Sequence, residues 1–165
     1  MAGAKRVIVI GVGNTLLSDE GLGVKAVERL EKTNLPQNVR LFDAGVSLPR
    51  TLPLAQGFDK MVIIDAIKAG KKPGTIHRFT LEEIERGQKK KARISLSLHE
   101  LDVPGMIALE KLVTKLPRQI VFIGMEPASI SPGTSLSPVI EEKMESLISR
   151  IRREIRGSES VNGGL

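Results

Sequence analysis

The chain has 165 residues, 41% hydrophobic and 27% charged, a composition typical of one folded domain rather than of a disordered chain. It contains no cysteine, which excludes a disulfide framework, a zinc–thiolate site and a cysteine nucleophile. No apolar run approaches the roughly 20 residues that span a bilayer, so we expect a cytoplasmic protein without membrane insertion.

The formal net charge is +6, with clusters such as "KAGKKPG" and "GQKKKAR". Trp and Tyr are absent and only four Phe occur, so platforms for stacking bases are poorly supplied. We therefore expect no nucleic-acid partner, and attraction to an acidic protein partner explains the charge at least as well.

Strands and helices are predicted to alternate along the chain. The predicted strands are "RVIVIGVGN", "NVRLFDAG", "DKMVIIDAI", "GTIHRFT" and "RQIVFIGMEP", of which "GTIHRFT" alternates like an edge strand or hairpin arm. The predicted helices are "DEGLGVKAVERLEKT", a helix beginning near Val103 or Pro104 in "LHELDVPGMIALEKLV", and the terminal "SPVIEEKMESLISRIRREIR". A turn or short helix is predicted for "SLPRTLPLAQGF", and "LEEIERGQKKKARI" is predicted to begin as a short helix and to continue as a charged loop.

This order predicts an α/β fold, a single-domain three-layer sandwich. Its twisted, mostly parallel five-stranded sheet is expected to carry helices on both faces. Residues 1–156 are expected to form this domain, and residues 157–165 a disordered tail.

Ligands of such sheets bind beyond the carboxyl ends of the strands. Three polar residues stand at such ends or just before a helix: Glu20 in the glycine-rich turn after the first strand, Asp65 ending "MVIID", and His99 in "SLSLHELDVPG". Two carboxylates and one imidazole suit a divalent transition metal with coordination positions left open.

Simpler explanations stay open for each residue. Asp65 can cap a turn, and His99 can be a half-buried histidine bonded to Glu100 or to backbone. Ser18 or Asp19 can cap the following helix.

A nucleotide site is a further alternative, because "GVGNTL" supplies G-x-G after a strand. Leu16 stands where the third glycine of that fingerprint belongs, and Asp19 and Glu20 would repel a pyrophosphate.

Four segments in order resemble the NiFe-hydrogenase maturation endopeptidases: "GVGNTLLSDEGLGVKAVERL", "DKMVIIDAIKAGKKPGTI", "SLHELDVPGMIAL" and "IGMEPASISPGTSLSPVIEE". The resemblance covers nearly the whole chain outside the tail. It implies a phosphorylase/hydrolase-like fold and an endopeptidase that removes the C-terminal extension of a nickel-loaded hydrogenase large-subunit precursor. It also implies that Glu20, Asp65 and His99 bind nickel, and that the glycines turn the chain sharply and leave room for a substrate.

One segment departs from the family pattern. Family members commonly have an Asp followed by a G-G-T or G-T turn, whereas this chain has Asp43, Ala44, Gly45 and Val46. The resemblance implies that this loop binds substrate, so Val46 affects which hydrogenase precursor is processed. A non-cleaving, metal-dependent docking chaperone for such precursors remains the alternative function.

Two mechanisms follow from the resemblance. In one, an enzyme-bound metal polarises the scissile carbonyl and activates water while Asp19 or Asp43 moves protons. In the other, Glu20, Asp65 and His99 capture nickel that the precursor carries, which marks it as loaded. The sequence does not fix the oligomeric state, with a monomer favoured. We expect His77 to be structural or solvated, and Glu126 to be a solvated surface residue.

Overall fold

The computed structural model describes residues 3–89, 94–97 and 103–157. Its strands are β1 (Val7–Val12), β2 (Val39–Gly45), β3 (Lys60–Lys68), β4 (Ile76–Thr80), β5 (Ser95–Leu96) and β6 (Gln119–Met125). Its helices are α1 (Leu22–Glu31), α2 (Leu48–Thr51), α3 (Leu81–Lys89), α4 (Val103–Glu110) and α5 (Pro138–Arg156), with short 3-10 helices at Ser18–Gly21 and Leu52–Ala55.

The strands form one mixed sheet in the order β2-β1-β3-β6-β4. The first four of these are parallel, and β4 runs antiparallel along β6 at the edge. The two-residue β5 pairs antiparallel with the end of β3. The predicted α/β class and the edge position of β4 are confirmed. The predicted strand number was one too low, because β5 is too short to leave a periodic signal.

Side chains of the central strands alternate between two cores, one on each face of the sheet. On β1, Val7 and Val9 pack with α1 and α5, whereas Ile8 and Ile10 pack with α2, α3 and α4. All four are fully buried. Burial on both faces explains the continuous apolar runs in the sequence and gives the three layers.

The terminal helix α5 covers one face through residues spaced three or four apart, as an amphipathic helix does. They are Ile140, Met144, Leu147, Ile151 and Ile155. Near its end, Glu154 accepts hydrogen bonds from Lys60 on β3 and Arg78 on β4. This ion pair network fixes the last turns of α5 to the sheet.

In the ranges that the structure describes, none of the helices combines the length and the apolar character needed to cross a membrane. Of the predicted tail, residues 157–165, all but Gly157 lie outside these ranges, as do residues 90–93 and 98–102.

Candidate active site

Two buried carboxylates meet at the carboxyl edge of the sheet. Glu20 lies in the 3-10 helix that follows β1 and is 8% exposed, and Asp65 lies near the end of the neighbouring strand β3 and is 2% exposed. Parallel strands end at the same edge, which is why residues 45 positions apart in the chain come together.

Asp65 is held by two backbone donors. The N–H of Ala66 donates to Oδ1 at 2.8 Å, and the N–H of Ser97 donates to Oδ2 at 2.9 Å. Burial raises the pKa of Asp65 to about 7; hydrogen bonds from Ser97 and Ala66 oppose this rise, and the charge of Glu20 adds to it. Two buried carboxylates that repel each other form a site where a cation would be stabilised.

The carboxylate of Glu20 differs from that of Asp65 in its hydrogen bonding. Within the described ranges no hydrogen-bond donor reaches it, although the residue is almost fully buried. Such a group retains its lone pairs for a ligand. This makes Glu20 the acid of the turn that is available for binding.

His99, the third predicted metal ligand, lies outside the described residues. Ser97, the last described residue before His99, donates its N–H to the carboxylate of Asp65. The described part of the chain contains no cluster of three His, Asp or Glu side chains that could hold a metal. The three-ligand site therefore stays a prediction, with two of its members in place.

Asp19, adjacent to Glu20, has a different environment. It is fully buried, and its carboxylate accepts hydrogen bonds from the backbone N–H groups of Ala128, Ser129 and Ser137 and from the hydroxyl of Ser137. The four distances lie between 2.7 and 2.9 Å. Asp19 thus ties the glycine-rich turn to the segment between β6 and α5.

The capping interpretation of this turn was wrong. Neither the 3-10 helix at Ser18–Gly21 nor α1 has a side-chain cap, because their N-cap residues are Leu17 and Gly21. Ser18 instead adopts a positive φ of 50° and donates its hydroxyl to the carbonyl of Ser131 at 2.7 Å. Its N–H donates to Gly133. The turn that carries Glu20 is therefore strained, and its hydrogen bonds to Ser131 and Gly133 hold it in place.

Two glycines make room for the backbone of the two acids. A Cβ on Gly13, which has φ 139°, would overlap the carbonyl oxygen of Glu20, and a Cβ on Gly124 would overlap that of Asp65. We expected the glycines of the turn to leave room for a substrate. At Gly13 the space is filled by the chain itself.

The end of β2 and the loop that begins there carry the predicted substrate-binding residues. Asp43 is exposed and its Oδ1 accepts the N–H of Gly45 at 2.8 Å, while Ala44 is buried and Val46 is 56% exposed. Because β1 lies between β2 and β3, the backbones of Asp43 and Asp65 are about two strand spacings, roughly 10 Å, apart. This separation favours contact of the loop with a bound chain over direct proton transfer at Asp65.

Glu126, expected to be a solvated surface residue, is 6% exposed. Its Oε2 lies 2.8 Å from Nε2 of buried His77 and accepts the N–H of Ala69 at 2.9 Å. His77 also stacks on Phe79, so it has the structural role that the sequence suggested. The position of Glu126 directly after a buried strand was the signal that could have predicted its burial.

A cavity of about 310 Å³ lies elsewhere, between the chain after α1 and the end of α5. It contains none of the predicted site residues; its lining is Asn34, Leu35, Pro36, Arg152, Ile155 and Arg156. The two acids lie at the opposite edge of the sheet, and their chemistry makes that edge the candidate site.

Comparison with known proteins gives one consistent result. A family model described as hydrogenase maturation protease matches residues 24–154. The hydrogenase expression/formation protein HupD of Rhodobacter capsulatus is 34% identical over 92% of this chain and 72% of its own length. The hydrogenase 2 maturation protease of Escherichia coli K12 is 31% identical over 93% of this chain and 92% of its own.

Solved structures agree with these sequence matches. The hydrogenase maturating endopeptidase HybD of E. coli superimposes with a TM-score of 0.80 at 30% identity, covering 93% of each chain. The NiFe-hydrogenase maturation protease HybD of Thermococcus kodakarensis gives a TM-score of 0.76 at 27% identity, covering 91% of this chain and 99% of its own.

Proposed function

Since this chain belongs to the hydrogenase maturation protease family and is a peptidase, we propose that it cleaves the C-terminal extension from a nickel-loaded hydrogenase large-subunit precursor. The family favours this function over the non-cleaving chaperone and over the nucleotide-binding domain. The precursor, its nickel and the cleavage point are parts of the proposal.

One observation supports the site above all others. Glu20 and Asp65 are both buried at the carboxyl edge, and the charge of one raises the pKa of the other. Burying two like charges side by side destabilises a protein unless a ligand compensates for it. A cation bound between a substrate and these acids supplies that compensation.

The donors present fit nickel. Carboxylate oxygens and an imidazole are hard to borderline ligands, and the carboxylate of Glu20 has no donor among the described residues. Glu20, Asp65 and His99 would hold the ion, which supplies Lewis-acid polarisation of a carbonyl when the enzyme binds it, or marks a loaded precursor when the substrate brings it.

The neighbouring residues then have separate roles. Asp19 is saturated by four donors, so we propose that it positions the turn of Glu20 and does not carry a proton. The loop of Asp43, Ala44, Gly45 and Val46 lies at the same edge with Asp43 and Val46 exposed, and we propose that it contacts the precursor. Val46 places a methyl group where the threonine of the family pattern has a hydroxyl, and this loss of a hydrogen-bonding group selects between precursors.

The experiment is the intact mass of a nickel-loaded large-subunit precursor before and after incubation with the protein. We expect loss of one discrete C-terminal peptide with the wild type and no loss with Glu20→Gln. Glu28→Gln, an exposed acid on α1, is the matched control and should cleave normally. An uncut precursor that nevertheless binds the wild type would overturn the proposal in favour of a chaperone.

A second experiment distinguishes the two sources of nickel. Metal-free enzyme is mixed with loaded precursor and a chelator that does not reach the buried nickel–iron centre. Cleavage at full rate would mean that the precursor supplies the ion. Loss of cleavage, restored by added nickel, would mean that the enzyme holds it.

A further inference from the structure

The end of β3 and the segment that follows it present three exposed lysines next to the site. We call residues 68–72 the basic loop; its lysines are Lys68, Lys71 and Lys72. It begins three residues after Asp65. Residues 66–75 contain no acidic residue, and the neighbouring segment 127–137 contains no charged residue at all. This part of the carboxyl edge is therefore positive, with no exposed acid from either segment to offset it.

Hydrogen bonds to Glu126 fix the backbone of the basic loop. Buried Glu126 accepts the N–H of Ala69 and that of Lys71, and its carbonyl accepts the N–H of Gly74. Burial alone would raise the pKa of Glu126, but the hydrogen bonds from Ala69, His77 and Lys71 outweigh it and lower the pKa. A charged, buried carboxylate thus holds the loop in one conformation, which reduces the entropy cost of binding.

The lysines of the loop have no partner inside the described protein. No ion pair joins them to a described carboxylate, and they are not among the groups that shift the pKa of Asp65. Lys60 and Arg78, by comparison, both pair with Glu154. Unpaired charges on a fixed loop beside an active site are arranged for an external partner.

We propose that the basic loop binds an acidic stretch of the precursor chain and so guides the cleavage point to Glu20 and Asp65. The inference rests on the proposed function, since it takes the substrate to be a protein chain. An acidic segment is the chemistry that complements three exposed lysines that form no ion pair with a described carboxylate. Such a contact at the rim accelerates encounter and selects between precursors, and salt weakens it.

The test compares two charge-reversed variants. Lys71→Glu/Lys72→Glu changes the basic loop, and Lys115→Glu/Arg118→Glu makes the same change in net charge. Lys115 and Arg118 are exposed just before β6, at the opposite edge of the sheet. Binding of a fluorescently labelled precursor is followed by anisotropy, and cleavage by intact mass, at about 50 mM and about 500 mM salt.

We expect Lys71→Glu/Lys72→Glu to weaken binding and to raise KM about tenfold at low salt, with kcat at saturating precursor nearly unchanged. The effect should shrink at high salt, and the control should stay within about twofold of wild type. Lys71→Gln/Lys72→Gln, which cannot introduce repulsion from Glu126, should give a smaller effect in the same direction.

The outcomes separate this inference from the proposed function. If both charge-reversed variants weaken binding equally, or if neither does, the basic loop is not the docking site even though cleavage proceeds. If the wild type binds but does not cut, the proposed function fails, and a selective loss of binding in the loop variant still supports the acidic contact.

Discussion

Gly124 on β6 and Asp65 on β3 face each other in register, and a Cβ on Gly124 would occupy the position of the Asp65 carbonyl oxygen. The absence of a side chain at one residue therefore determines how closely the strand carrying the other can approach. A side chain added at Gly124 therefore tests how closely the two strands must approach.

Gly124→Ala is expected to destabilise the protein strongly, because the clash is with backbone in the middle of the sheet. The cost should exceed about 2 kcal/mol, in the range of strained and overpacked core substitutions. Urea unfolding measures it. Gly3→Ala, where nothing lies within 4 Å of the added carbon, is the control and should unfold like wild type. Equal stability of the two variants would contradict this account.

Nickel binding should depend on the two buried acids. We expect nickel to raise the Tm of the wild type, since an ion that binds only the folded state stabilises it. Glu20→Gln should remove most of this shift while leaving the Tm without metal unchanged or higher, because one of two repelling charges is gone. A normal nickel shift in Glu20→Gln would exclude this residue as a ligand of a resident ion.

Asp19→Ala, unlike Glu20→Gln, should lower the stability of the metal-free protein. It leaves the N–H groups of Ala128, Ser129 and Ser137 without their acceptor, and we expect a loss of roughly 3 kcal/mol in unfolding free energy. Denaturant titration measures the loss. A stable but inactive Asp19→Ala would instead restore this residue as a candidate proton carrier.

The strain at Ser18 gives a paired prediction. Ser18→Ala loses the hydrogen bond to Ser131 and keeps the unfavourable positive φ, whereas Ser18→Gly loses the same bond but relieves the backbone. Relief of a left-handed conformation is worth about 1 kcal/mol. Ser18→Gly should therefore melt at a higher temperature than Ser18→Ala, and the reverse order would contradict the strain.

Acid should weaken the network around Glu154. Its hydrogen bonds from Arg78 and Lys60 outweigh burial and lower its pKa to about 2 from the ordinary 4.5. A carboxyl with a lowered pKa stabilises the fold fully above the unfolded value, and this stabilisation is lost as pH falls from about 4.5 towards 2. After allowance for solvent screening, the contribution is on the order of 2 kcal/mol.

The measurement is unfolding free energy against pH for wild type and Glu154→Gln. The gap between the two should be constant near neutrality and narrow below about pH 4.5, as protonation removes the charge of Glu154 from the wild type. A gap that does not change with pH would show that the ion pairs do not stabilise the fold.

Local patterns were sufficient for the elements that are buried on both faces. The runs around Val9 and Ile63 predict central strands, and Pro104 correctly indicates the start of α4. Positions after neighbouring strands singled out Glu20 and Asp65, the family resemblance implied their role as ligands, and the structure brings both to one edge. These features depend on residues that are close in the sequence, or on the alternation of strands and helices that predicts parallel strands. Both can be read from the sequence.

The different environments of Asp19 and Glu20 could not be predicted in this way. The two acids are adjacent in sequence, and only contacts with residues 128–137 distinguish the saturated carboxylate from the available one. The burial of Glu126 likewise depends on Ala69 and His77, which lie on other elements. The local sequence around Asp19 or Glu126 does not predict contacts with residues so distant in the chain.

The hydrogen bonds from residues 128–137 to Asp19 also have a consequence for synthesis. They join residues 109 to 118 positions apart, so the turn of Glu20 is made early by the ribosome but acquires its support only when the chain has grown past Ser137. A nascent chain released before that point would carry Glu20 without the hydrogen bonds that hold its turn in place. The site therefore acquires its full hydrogen-bonded support only after most of the polypeptide has been translated.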